Sequence, residues 1–400
     1  MSTVVRTFLP YHIYGRSISS ERPARILRLN AEPWDHRFSM LESQIVGSLP
    51  KPAWLADPGV LRAAWRLSGD ELRQAQDDAV RLAIVEQEEA GLDVVTDGEL
   101  RRRHYIWGFL DGLTGIDQER TARKQTRGGR YTPSIDVPRI VGAVERRAPI
   151  FVDACRAARA MTTRRLKVTL PGPMTMADEV ADEFYGADPE SLAMRFAAVL
   201  NAEARDLVEA GADVIQFDEP CFNIYVEQVG AWGIEALERS MDGVRVTKAV
   251  HICYGYGTPA VLGWKSKNAD WGQYGVTLPL LARSRVDQVS VECAASGVDP
   301  AVLATLAGKD VLLGVVDVGT ETVETPHTVA ERIRRALPFV PVERLKPCTD
   351  CGLVPRSREA ARGKMRALAA GAALVRAELA TGPADTSGIA PKRPKTARIP

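Results

Sequence analysis

A histidine and a cysteine separated by one residue are the sharpest chemical signal in the sequence. His251 and Cys253 follow a run of β-branched and apolar residues. Residues i and i+2 of a strand point to the same face, so the imidazole and the thiolate can converge on one metal ion. Zn²⁺ is the common choice for such ligands. Standing alone, the pattern is more typical of a buried histidine beside a buried cysteine.

Two further potential metal ligands stand where later predicted strands end. Glu292 ends one strand and Cys351 follows another, and the two could complete a tetrahedral metal site. A carboxylate ligand suits exchange, so we expect Glu292 to be the ligand that leaves when a substrate binds. Cys348 and Cys351 also form a C-x-x-C pair, which in other settings is a redox motif. Here the pair closes the last predicted strand of a large domain, which disfavours redox chemistry.

The elements that must position these residues alternate regularly along the chain. Short β-branched runs precede long amphipathic stretches, which indicates strands followed by helices. Eight strands are predicted: Gln44–Gly47, Asp93–Thr96, Arg165–Leu170, Asp213–Phe217, Val246–His251, Gln288–Glu292, Val311–Val316 and Arg344–Pro347. The clearest predicted helices are Asp70–Glu89, Pro189–Glu209, Thr328–Ala336 and Ser357–Glu378. This order predicts an α/β fold, a (β/α)8 TIM barrel, whose functional residues lie at the carboxyl ends of the strands. The rival open sheet lacks its G-x-G-x-x-G fingerprint.

Composition narrows the function classes. Lys and Arg total 52 and Asp and Glu total 51, for a formal charge of +1, so nothing favours nucleic acid or an acidic membrane as a partner. We find no apolar run long enough to span a membrane and no secretory signal pattern, and we expect a cytoplasmic protein. We predict an N-terminal extension over 1–40, a catalytic barrel over 41–378 and a disordered tail over 379–400. Within the barrel, residues 115–138 are predicted to form an irregular insertion or a lid.

Six ordered segments together resemble the cobalamin-independent methionine synthase family, in its catalytic C-terminal zinc barrel. The matching segments are Ile45–Ser48, Asp97–Glu99, Gly172–Met176, Gln216–Pro220, His251–Cys253 and Asp350–Leu353. The resemblance covers about residues 43–375. Because a second, N-terminal barrel is missing, the chain resembles the short single-barrel members.

The resemblance implies an enzyme that transfers a methyl group to the sulfur of a small thiol, with homocysteine as the expected acceptor. It implies Zn²⁺ as cofactor, with the ligands His251, Cys253, Glu292 and Cys351. It also implies that the amino-acid thiol is bound by Gly47, Ser48, Glu99 and Asp218. Glu99 and Asp218 suit its ammonium group. We further expect Asp218 and Asp317 to act as acid or base.

Departures from the family leave the donor and the reaction open. Asp178 and Glu179 stand where folate-binding synthases carry a tryptophan, and Gly319 stands where they carry a histidine. A methylcorrinoid or a corrinoid protein is an alternative donor, as is a specialised metabolite that gives or takes the methyl group. A lyase resembling the epoxyalkane:coenzyme M transferases is another alternative, with the Arg101–Arg103 run binding the sulfonate. The third alternative is a barrel whose zinc is structural and which catalyses nothing. The oligomeric state is not predicted.

Overall fold

The computed structural model describes residues 40–58, 62, 64–130, 134–256, 258–268 and 271–381. The predicted extension over 1–40 lies outside the described residues except for Met40. The predicted tail over 379–400 lies outside them from residue 382 onward, and its first three residues belong to the last helix.

Parallel strands form the centre of the molecule. Over the described residues the strands are β1 (Val94–Thr96), β2 (Ile116–Lys124), β3 (Ile135–Ile140), β4 (Arg165–Pro171), β5 (Ala181–Asp182), β6 (Val214–Asp218), β7 (Thr247–Ile252), β8 (Gln288–Val291), β9 (Asp310–Val316) and β10 (Leu345–Thr349). Seven of them pair in the order β1-β4-β6-β7-β8-β9-β10. Gln44 bridges Val94 at one end of this sheet and Cys348 at the other, and it thereby closes the ring. The predicted barrel is confirmed, although its first strand is reduced to this bridge.

Helices connect the strands and cover the outside of the barrel. They are α1 (Gly69–Ala90), α2 (Trp107–Leu110), α3 (Val152–Arg159), α4 (Pro173–Asp178), α5 (Pro189–Glu209), α6 (Val226–Gln228), α7 (Ile234–Ser240), α8 (Pro259–Lys265), α9 (Gln273–Arg283), α10 (Pro326–Ala336) and α11 (Arg358–Thr381). Helix α5 has the predicted bounds, because the Asp188 carboxylate accepts hydrogen bonds from the first-turn amides and Gly211 follows its end with a φ of 103°. Among the described helices, none is long and apolar enough to cross a bilayer.

The segment predicted as an irregular insertion is instead regular. Strands β2 and β3 pair antiparallel, with Ile116 opposite Ile140, and β5 adds a third strand. The prediction was wrong because β2 is largely exposed or half-buried, so its sequence IDQERTARK shows no apolar alternation. Hairpin geometry alone organises it, and this small sheet carries the turn that contains Arg127.

Candidate active site

A cavity of about 260 Å³ opens where the barrel strands end. Six of the predicted site residues line it: Ser48, Glu99, Asp218, His251, Cys253 and Cys351. They follow five different strand segments, so only closure of the barrel brings them together. The sequence-based expectation that polar side chains converge at this end of the barrel agrees with the structure.

His251, Cys253 and Cys351 form a compact group of soft metal ligands. Their ligand atoms all lie within 4.8 Å of one another, and the two cysteine Sγ atoms are 3.8 Å apart. The Nδ1 atom of His251 contacts the Ser290 hydroxyl at 2.9 Å, while its Nε2 atom is buried without a hydrogen-bond partner. A buried imidazole nitrogen facing two sulfurs is the expected arrangement for a zinc or similar ion. The donor set therefore fits the metal that the sequence predicted.

The two thiols differ in acidity. A hydrogen bond from Cys351 holds the pKa of the Cys253 thiol well below its usual range, against the opposing effect of burial. The same hydrogen bond, with burial, raises the pKa of Cys351. Burial lowers the pKa of His251, but the negative charge on Cys253 outweighs it and the net shift is upward. The Cys253 thiol is therefore the sulfur of the group that ionises more readily.

Glu292, the fourth predicted ligand, lies outside this group. Its Oε1 atom accepts a 2.5 Å hydrogen bond from the Lys265 ammonium, and its Oε2 atom accepts one of 3.0 Å from the Tyr254 amide. The side chain is fully buried. Burial raises the pKa of Glu292 to about 8, and the charge of Lys265 opposes that rise. Metal ligation by Glu292 stays a prediction, and the carboxylate has Lys265 as an alternative partner.

Asp350 fixes the chain on both sides of the ligand group. Its carboxylate accepts hydrogen bonds from the amides of Cys293, Ala294 and Ala295 and from the Tyr256 hydroxyl, at 2.7–3.1 Å. It thereby ties the segment after Glu292 to the residue that precedes Cys351. The close approach requires Gly314 on β9, where a Cβ atom would lie 2.2 Å from the Asp350 carboxylate.

The carboxylates predicted to bind substrate lie on the same cavity. Glu99 accepts a hydrogen bond of 2.9 Å from the Thr169 hydroxyl and has a φ of 59°. Asp218 accepts one of 2.8 Å from the Gln216 amide. Burial raises the pKa of Asp218 to about 7, although the positive charge of His251 opposes that rise. Asp218 can therefore change its protonation state near neutral pH.

Two other predicted residues have different surroundings. Gly47 is not among the cavity-lining residues, but a Cβ atom there would lie 2.9 Å from the Glu99 carboxylate, so glycine allows the carboxylate its position. Asp317 does not line the cavity either. Its Oδ1 atom accepts a 2.6 Å hydrogen bond from the Gly319 amide and so stabilises its own loop. A catalytic role for Asp317 stays a prediction that no contact with the cavity supports.

The arginine run after Glu99 is already engaged. Arg101 pairs with Asp77, and Arg103 pairs with Asp111. Arg102 is buried in the barrel wall, where it donates a 2.8 Å hydrogen bond to the Thr169 carbonyl. The run therefore has structural partners, which weakens the case for a sulfonate site built from it.

A buried arginine that sequence reasoning missed reaches the cavity from the β2–β3 turn. Arg127 lines the cavity, with ion-pair distances of 3.1 Å to Glu179 and 3.7 Å to Asp178. It also donates to the Tyr105 hydroxyl and to the Cys221 sulfur, each at 3.0 Å. No local pattern around Arg127 indicated this role, because the contacts depend on how the hairpin folds over the barrel. Sequence reasoning missed three further cations for the same reason, because each lies in a segment that connects strands: Lys51, Arg62 and Lys265.

The fold and the cavity together define a barrel enzyme with a soft-metal ligand set at the carboxyl ends of its strands. Comparison with known proteins gives the family. The model of the cobalamin-independent synthase catalytic domain matches residues 41–373, and the chain belongs to this family.

Individual relatives agree with this assignment. The methionine synthase of Sulfurisphaera tokodaii is 33% identical over 341 residues, which are 85% of this chain and 94% of the relative. That of Saccharolobus solfataricus is 33% identical over 346 residues, 86% and 97% of the two chains. A solved B12-independent methionine synthase from Shewanella sp. W3-18-1, in complex with selenomethionine, is 44% identical with a TM-score of 0.83. That match covers 86% of this chain and 100% of the relative.

Proposed function

We propose that this protein is a methyltransferase that methylates the sulfur of homocysteine to form methionine. The observation that carries the proposal is the convergence of His251, Cys253 and Cys351 on a cavity that also holds two carboxylates. Family membership and the methionine synthase relatives support it. The Shewanella relative holds selenomethionine, the selenium analogue of the proposed product.

His251, Cys253 and Cys351 would hold the zinc ion, and Glu292 is the proposed fourth ligand. When bound, zinc supplies a site at which a substrate thiol is deprotonated at neutral pH, as a coordinated thiol is. The chain's own contribution is to orient this site. Ser290 fixes the ring of His251 through Nδ1, and Asp350, the residue before Cys351, holds the backbone that follows Glu292. A donor set with one carboxylate suits an exchangeable position, which favours catalysis over a structural site.

Glu99 and Asp218 would bind the ammonium group of the amino acid. Both side chains are at least nine-tenths buried and line the cavity, so an incoming ammonium would offset their charge where water does not. Ser48 is the proposed contact for the rest of the amino-acid head. Holding the head at these residues orients the thiol toward the cysteines, which lowers the entropic part of the barrier. These ammonium partners favour homocysteine over coenzyme M, which has no amine.

The identity of the methyl donor is tested most directly by supplying the alternative donors in separate reactions. Membership of a cobalamin-independent family disfavours a methylcorrinoid or a corrinoid protein as the methyl donor. Glu179, which pairs with Arg127, stands where folate-binding synthases carry their tryptophan, so a pterin ring would meet charged groups there. A donor with polar or anionic groups fits this wall better than a flat aromatic one.

The test is methionine formation by the full-length, zinc-loaded chain. The protein is incubated with homocysteine and, in separate reactions, a methylated folate, a methylated oligoglutamyl folate and methylcobalamin, and methionine is measured by mass spectrometry. We expect methionine with one of these donors and a loss of at least about a thousandfold in Cys351→Ser. Cys293→Ser is the matched control, because Cys293 is half-buried and outside the ligand group. Unchanged activity in Cys351→Ser would refute the proposal.

A further inference from the structure

Among the described residues, two cations that line the cavity form no ion pair with a carboxylate. Lys51 and Arg62 both line the cavity, and neither lies within ion-pair distance of an acidic side chain in the described part of the chain. Their neighbours differ in this respect. Arg103 pairs with Asp111, and Arg127 pairs with Glu179. Glu99 and Glu179 act electrostatically on Lys51 and Arg62 respectively, but among the described residues neither carboxylate lies within ion-pair distance of its cation.

Indole rings support both cations without removing their charge. The Arg62 guanidinium carbon lies 3.9 Å from the centre of the Trp107 ring, and the Lys51 ammonium nitrogen lies 5.8 Å from that of Trp65. Such contacts hold a cation in place and leave its N–H groups free for hydrogen bonds. Burial lowers the pKa of Lys51 and of Arg62. Both groups would gain from an anion in the cavity.

A neutral histidine accompanies the two cations. Burial, and then the charges of Arg62, Arg127 and Lys51, hold the pKa of His104 well below its usual range. Its Nδ1 atom faces the amides of Ile106 and Trp107 at 3.4 Å and accepts from them. The proton of the neutral ring is then on Nε2, and His104 lines the cavity. The ring can donate a hydrogen bond there.

The two cations and the ligand group are carried by different segments that line the same cavity. Lys51 and Arg62 follow the first strand segment, and His104 follows β1. His251 lies on β7 and Cys351 follows β10. An anion bound at this wall would therefore share the cavity with the amino-acid thiol.

We propose that Lys51, Arg62 and His104 form a subsite for a carboxylate or phosphate group of the second substrate. The identification of that substrate as the methyl donor rests on the proposed function, whereas anion binding at this wall does not. Two cations and one N–H donor match the acceptor oxygens of either group. Lys51 and Arg62 would determine which donors bind, and they take no part in the chemistry at sulfur.

The test is calorimetric titration of the zinc-loaded, full-length chain with inorganic phosphate and, separately, with glutarate. We expect one probe to bind more tightly, which distinguishes a phosphate-bearing from a carboxylate-bearing substrate. Lys51→Gln and Arg62→Gln should each weaken that binding by about tenfold. Arg103→Gln is the matched control, because Arg103 also lines the cavity but already has Asp111, and its effect should be under about twofold.

A titration in the presence of homocysteine shows whether the anion and the amino acid bind at different places. With saturating homocysteine present, probe binding should be unchanged within about twofold. Competition between the two would mean that these cations bind the carboxylate of the amino acid, and it would overturn the proposal. So would equal losses in Arg62→Gln and Arg103→Gln, or no binding of either probe to the wild type. If anions bind at Lys51 and Arg62 and no methionine forms with any donor, the proposed function fails and the subsite stands.

Discussion

The two walls of the cavity are built differently. His251, Cys253 and Cys351 lie on strands or directly after them, and Ser290 contacts the His251 imidazole at Nδ1. The wall with Lys51, Arg62 and His104 is carried by connecting segments, and two of its cations lack an acidic partner among the described residues. The difference shows where each kind of specificity resides. The rigid wall suits a metal ion and the proposed amino acid, and the loop wall suits the anion proposed to bind there.

The rigid wall depends most on Asp350, whose carboxylate accepts from three amides and one hydroxyl. Asp350→Ala should lower the free energy of unfolding by about 4 kcal/mol, because buried donors lose their acceptor. Urea unfolding followed by circular dichroism measures this loss. Asp350→Asn keeps one carbonyl oxygen and should lose clearly less. Equal stability of the alanine variant and the wild type would show that the segment after Glu292 keeps its conformation without the Asp350 carboxylate.

A smaller loss is expected at the ion pair between Lys265 and Glu292, whose side chains are almost fully buried. Lys265→Met should lower the free energy of unfolding of the metal-free protein by about 2 kcal/mol, because the buried carboxyl group loses the hydrogen bond from the Lys265 ammonium. Adding Glu292→Gln to this variant should restore most of the loss, and thermal unfolding of the double-mutant cycle measures it. Lys267→Met, in an exposed position two residues on, is the control and should cost under about 0.5 kcal/mol. Additive effects in the cycle would mean that the pair is not coupled.

The pH dependence of amino-acid binding sharpens the comparison further. The pKa of Asp218 is raised from 3.8 to about 7, so the folded protein binds a proton there that the unfolded chain has lost. Stability of the metal-free protein should therefore fall as the pH rises between those two values, and Asp218→Asn should remove that component. Homocysteine affinity should rise as Asp218 ionises near pH 7. The variant should bind homocysteine about tenfold more weakly with a flatter pH profile, as measured by calorimetry. A wild-type affinity that is constant from pH 6 to 8 would contradict this assignment.

The smallest effect is expected at the half-exposed pair of Arg103 and Asp111. Arg103→Gln should change the free energy of unfolding by less than about 0.5 kcal/mol, because solvent screens the pair. Chemical unfolding at low and high salt measures it. A loss above about 2 kcal/mol would mean that the loop wall depends on this pair, and the contrast between the two walls would disappear.

Strand-borne features were predictable from the sequence. Strand periodicity placed His251 and Cys253 on one face, and the barrel order placed Cys351 near them. Loop-borne features were not. Arg127 reaches the cavity from a hairpin whose exposed strand shows no apolar alternation. Its partner Glu179 lies far along the chain, and no sequence motif links the two residues. Lys265 contacts Glu292 only because α8 folds back over the cavity, a contact between distant residues that no local pattern encodes.

Zinc K-edge X-ray absorption of the full-length protein, with and without homocysteine, tests the central claim most directly. We expect two sulfur and two nitrogen or oxygen ligands in the absence of homocysteine, and a third sulfur when it is added. Selenohomocysteine should give a zinc–selenium distance in the same experiment, which identifies the substrate atom itself. Two sulfur ligands under both conditions would contradict thiol activation at this site, and a folded, zinc-supplemented protein that retains no zinc would contradict the assignment of His251, Cys253 and Cys351 as metal ligands.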